Sequence, residues 1–183
     1  MFQRDKAGNA VETSYWSADN RPTYGAEPFF RSTSVFDSQG YEIETRLWDS
    51  EGKAGAGLLG WHRRTMKFDK FGGMLEKSFF TIGGNLCPLV DRPYSDEGNS
   101  ALGHTPTAWR AERDSVGNMI RESWFDKDGK PAINQEGIAS TTIRRDEHGN
   151  VLEKSFFDEN GHLSLGPEGW ATWKGRYDAD GNL

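Results

Sequence analysis

The residues in this chain best placed to do chemistry are aspartates in short runs ending in glycine. DKDGK at Asp126, DENGH at Asp158 and DADGN at Asp178 each present a carboxylate, a second Asp or Asn, and a Gly. Oxygens at that spacing resemble the opening of a calcium loop, where a hard cation collects carboxylate and carbonyl ligands. A full loop of that kind also needs a later bidentate Glu and flanking helices, and no run supplies both. DKAGN at Asp5 and DSVGN at Asp114 lack the second ligand altogether. A tight turn accounts for every copy: the Asp side chain accepts backbone amides, and the Gly three residues on takes a left-handed conformation. No metal or other cofactor is expected.

A second constellation lies in the segment LCPLVDRPYSDEGNSALGH, about residues 86–104, which holds Cys87, Asp91, Arg92, Tyr94, Asp96 and His104. A thiol with a His base and an Asp to orient it is a nucleophile. None of the local signatures of cysteine enzymes surrounds Cys87, so the expectation is no enzyme. A surface loop on a rigid scaffold more often carries specificity, which makes Arg92 and Tyr94 candidate binding residues. The third candidate is a series of aromatics, Trp16, Trp48, Phe80, Phe125 and Phe157, spaced so regularly that they would form a ladder. Such rings stack on sugars or on apolar partner segments, or else pack internally. His62, His148 and His162 are scattered and form no cluster.

The elements that position these residues follow from a periodicity. Asp-x-x-Gly occurs at Asp5, Asp37, Asp69, Asp114, Asp146 and Asp178, at spacings of 32, 32, 45, 32 and 32. One unit of about 32 residues therefore recurs, with 13 extra residues in the third. A second turn lies twelve residues after the mark at Asp49, Asp126 and Asp158, and has degenerated to SADNR and TIGGN elsewhere. Between the turns run segments such as VLEKSFF, MIRESWF and EIETRLW, which suit short strands. Another strand precedes each mark, as in IASTTIRR and WATWKGRY.

Alternation assigns the strand faces. Val11, Ile43, Leu75, Ile120 and Leu152, with Tyr15, Leu47, Phe79, Trp124 and Phe156, share one face, the expected core. The other carries Glu12, Glu44, Glu76, Arg121 and Glu153, then Ser14, Arg46, Ser78, Ser123 and Ser155, then the aromatic series. Lys67, Arg144 and Arg176, two residues before their marks, would lie across the hairpin from the Glu row. The predicted fold is all-β: tandem β-hairpin repeats forming a solenoid-like or curved antiparallel sheet over residues 1–183, with a surface insertion at about 86–104.

Bulk properties agree. The chain has 183 residues, 34% hydrophobic and 27% charged, yet 13% aromatic, so it should fold around a thin core. A net charge of −6 opposes nucleic-acid binding. A lone cysteine excludes an internal disulfide, and no apolar run approaches the roughly 18 to 20 residues that cross a bilayer. The start, MFQRDKAGNA, has no signal-peptide stretch. Since the chain opens and closes within repeats, it is expected to be part of a longer protein.

The aromatic-led turns RYDADGN and VFDSQGY resemble those of bacterial YD-type repeat proteins of the Rhs kind, with Arg4, Arg113 and Arg145 in place of the aromatic at other marks. The resemblance implies β-sheet surfaces or shells that scaffold, enclose or bind in large secreted or surface proteins and are not catalytic. It would place the chain outside or at the surface of the cell; without it the cytoplasm is the default. The expected function is a non-enzymatic scaffold or protein-interaction module whose partner is a protein or a neighbouring domain. Glycan binding through the aromatics is the alternative, and a hydrolase using the insertion a distant third.

Overall fold

The computed structural model describes residues 1–25, 27–57, 60–87, 106–178 and 181–183. The Asp-x-x-Gly runs at Asp5, Asp37, Asp69, Asp114 and Asp146 each close a hairpin in the same way. At Asp5 the backbone amide donates to the Asn9 carbonyl at 3.0 Å, and the Gly8 amide donates to the Asp5 carbonyl at 3.1 Å. The same pair of bonds recurs at Asp37, Asp69, Asp114, Asp146 and Asp178. The mark glycines all lie at φ between 81° and 94°, the left-handed region in which an L side chain is strained. Strand register slips by one residue beside the turn, so each hairpin is a type I turn with a glycine bulge.

The strands so joined are all antiparallel, and no helix occurs among the described residues. By backbone packing the chain divides into two compact parts, Met1–Asp96 and Glu97–Leu183. In the first, β1 (Phe2–Arg4), β2 (Ala10–Ser14), β3 (Arg31–Phe36), β4 (Glu42–Trp48), β5 (Arg63–Phe68) and β6 (Met74–Phe80) pair in chain order, and β7 (Leu86–Cys87) adds to β6. In the second, β8 (Ala108–Arg113), β9 (Met119–Phe125), β10 (Ser140–Arg145), β11 (Val151–Phe157) and β12 (Thr172–Lys174) do the same.

The degenerate second turns keep their geometry. Ser17 and Thr81 replace the Asp yet make both backbone bonds, and Asn20 occupies the glycine position at φ 57°. Asn is the residue that tolerates this conformation best after Gly. After the second turn the chain runs briefly back along the strand it left, as in the bridges Trp48↔Ala54 and Phe157↔Leu163. Leu86 and Cys87 do this beside Phe80 and Phe79. These two residues therefore belong to the sheet, and residues 88–104 of the expected insertion lie outside the described residues.

A third turn, not anticipated from the sequence, joins the returning segment to the next strand in three of the connections. Gly57, Asn134 and Gly166 open it, accepting from Gly60, Gly137 and Gly169 and donating to Trp61, Ile138 and Trp170. It folds the connection over the aliphatic and aromatic face. Trp170 stacks on Phe156 at 4.8 Å between centroids, and Tyr15 meets Phe29 edge-on at 5.8 Å. A Cβ on Gly25 or Gly166 would collide with Tyr15 or Phe156, so glycine there lets the ring lie against the backbone.

The core differs from the expected single face. Leu47 and Phe156 are buried, but Val11, Ile43, Leu75, Ile120 and Leu152 are only half-buried, as are Tyr15, Phe79 and Trp124. On the opposite face Ser14, Ser78, Ser123 and Ser155 are buried. A small side chain flanked by long ones is covered by them: Trp16 folds back so that its Nε1 donates to Ser14 Oγ at 2.9 Å. The expected cross-hairpin pairs form at Lys67–Glu76, 3.0 Å, and Arg144–Glu153, 3.5 Å.

Candidate functional site: an arginine and aromatic sheet face

Even residue spacing does place Trp16, Trp48, Phe80, Phe125 and Phe157 at matching points of their hairpins, each just past or at the end of its strand. Their contacts are not those of a ring-on-ring ladder. Trp16 meets Phe30 edge-on at 5.1 Å, and Trp48 meets His62 edge-on at 5.5 Å. Guanidiniums cover three of the rings: Arg31 lies 5.4 Å from the centroid of Trp48, Arg63 4.2 Å from Phe80, and Arg110 4.6 Å from Phe125. The reason is register. Arg31 pairs directly with Trp48 and Arg63 with Phe80, whereas Phe125 pairs with Ala108 and is reached by Arg110 from two residues along the same strand. Such cation–π contacts contribute about 0.5–1 kcal/mol each when exposed.

The tryptophan N–H groups are satisfied within the sheet, Trp16 by Ser14 and Trp48 by Thr33 Oγ1 at 2.9 Å. Trp16 is the most open member of the series, 41% exposed. Arg92 and Tyr94 lie outside the described residues, as do Asp91, Asp96 and His104. Cys87 is buried at 3% exposure, and that burial pushes its thiol up, toward the protonated form that is a poor nucleophile.

The aspartates are committed to their turns. Oδ1 of Asp146 accepts from the His148 and Asn150 amides at 3.0 and 2.9 Å, and Oδ2 accepts from Asn150 Nδ2 at 3.0 Å. Side-chain bonds from Asn9 and Asn118 hold Asp5 and Asp114 below the ordinary carboxylate range, aided by turn amides against a partial desolvation. At Asp146 desolvation is the largest single influence and pushes upward, but the Asn150 and His148 bonds together outweigh it.

A cationic cluster lies in β4 and β5. Arg46 stands directly opposite Arg63, and Arg63 directly opposite Phe80. Glu44 serves both cations, through Arg46 Nε at 2.7 Å and Arg63 Nη1 at 3.8 Å. Beside them opens a shallow groove of about 210 Å³, walled also by His62, Thr81 and Ile82. His62 is fixed by its Nδ1, 3.0 Å from the Gly55 carbonyl, and by its edge on Trp48. Sequence reasoning did not single out Arg46 or Arg63. The signal was present: Arg46 is the one exception in a column of serines.

Comparison with models of known protein families and with curated proteins returns no match.

Proposed function

We propose that the chain is a non-enzymatic tandem-hairpin scaffold and protein-interaction module that binds through the arginine and aromatic faces of its two compact parts. The observation that carries this reading is the guanidinium lying over Trp48, Phe80 and Phe125. Arg and aromatic side chains held rigid by one another present hydrogen-bond donors and apolar area at little entropic cost, the composition of interface hot spots. The resemblance to Rhs-type arrays supports the same reading.

A peptide array probed with the intact protein tests it. The chain should retain a subset of peptides, and the double variant Arg31→Gln, Arg110→Gln should retain far fewer with an unchanged circular dichroism spectrum. Retention of no peptide by the unmodified protein would sink the proposal. The glycan reading rests on the openness of Trp16. A glycan array comparing the protein with Trp16→Ala and Trp48→Ala discriminates it, since glycan stacking requires that both substitutions lower the signal.

A further inference from the structure

We infer that Arg46 and Arg63 form a subsite for one carboxylate side chain of an acidic, apolar-flanked peptide segment. The inference rests on the interaction-module reading and deepens it. At the position of Arg46 the other hairpins carry Ser14, Ser78, Ser123 and Ser155, all buried. At the position of Arg63 three others carry Ala108, Ser140 and Thr172. Small residues therefore satisfy the sheet at both places. Two like charges directly opposite one another on neighbouring strands destabilise it. An arrangement that the fold does not require and that electrostatics disfavours points to a ligand.

The chemistry of that ligand follows from the charges and walls. Arg46 and Arg63 share Glu44, so the three groups together carry one net positive charge. A monoanion completes that balance, whereas a dianionic phosphate is repelled by Glu44. The arginine side chains remain 43% and 34% exposed, which leaves guanidinium N–H groups accessible for charge-assisted bonds to a carboxylate. Glu44 and the Phe80 ring hold Arg63 in place before the ligand arrives. A groove of about 210 Å³ has room for one side chain. Ile82, 56% exposed, and the edge of Phe80 offer apolar contact to the residues beside that side chain. An acidic sugar fits less well, because the ring face on which it would stack is already taken by Arg63 at 4.2 Å.

The test is calorimetric titration of the intact protein with acetyl-Leu-Glu-Leu-Glu-Leu-amide, its Gln counterpart and a trimer of galacturonate. Arg46→Ser and Arg63→Ser serve as variants, since serine stands at both positions elsewhere in the chain and the fold tolerates it. The Glu peptide should bind, the Gln peptide and the uronate should bind at least about tenfold more weakly, and each variant should lose about tenfold, the scale of one hydrogen bond to a charged group. Arginine Nε–Hε resonances of the unmodified protein should shift for Arg46 and Arg63, a readout independent of any variant. Equal binding by both variants would remove the subsite while peptide retention on the array left the module standing. Uronate binding as tight as the peptide, or no binding of the Glu peptide, overturns the inference as well. Retention of no peptide on the array removes the module and the subsite together.

Discussion

At the scale of single residues, the aspartates of the turns act as acceptors, and this ties stability to pH. Asp5, Asp114, Asp146 and Asp158 all have carboxyls lowered in the folded chain. A lowered native pKa contributes stability that is fully present above the unfolded value, about 3.9, and is lost as pH falls through the native one. Urea midpoints should be level from neutral pH to about 5 and then drop steadily toward pH 2. A midpoint at pH 2.5 equal to that at pH 5 would refute the role of these carboxylates. Thr141 makes the opposite case. It is fully buried, and its Oγ1 has no hydrogen-bond partner among the described residues. Thr141→Val keeps the branched shape and removes an unsatisfied hydroxyl, so it should stabilise the protein by about 1 kcal/mol in urea titration.

At the scale of elements, the three turns differ in how each constrains its residues. Asn20 holds a left-handed conformation at φ 57°. Asn20→Gly should be neutral or slightly stabilising, whereas Asn20→Ala should cost about 1 kcal/mol, because a Cβ is strained there. Equal thermal midpoints for the two variants would contradict this. At Gly166 the constraint is space rather than φ, since a Cβ would run into the Phe156 ring. Gly166→Ala should destabilise by about 1–3 kcal/mol, with a loss of near-ultraviolet dichroism as the Phe156–Trp170 stack is displaced. An unperturbed stack in that variant would show that the ring does not depend on the glycine.

At the scale of the molecule, strands pair with their chain neighbours, so protection should vary along the chain rather than rise and fall as one. β1 is exposed throughout its length, whereas β10 is paired along both edges and includes the buried Ser140 and Thr141. Hydrogen exchange should be fastest in β1 and slowest in β10 and β11. Uniform exchange rates across these strands would argue for a single cooperative unit instead.

The first and second turns were legible in the sequence because their chemistry is local: Asp acceptor, amide donors and left-handed glycine lie within five consecutive residues. Even SADNR and TIGGN keep its backbone bonds. Strand alternation was legible for the same reason, since neighbouring side chains must point to opposite faces. What covers each face was not local. Only the third turn, bringing Trp170 onto Phe156, decides where the apolar core closes, and only the long neighbours of Ser14 and Ser155 decide that a serine is buried. The pairing of Arg46 with Arg63 likewise depends on the register between strands from successive hairpins. The sequence by itself determined the hairpins, whose signals lie within a few bonds of each other. The tertiary structure decided the register between them, and with it the pairing of Arg46 with Arg63, because that register is set by packing across the connections between hairpins rather than by the chemistry of one turn.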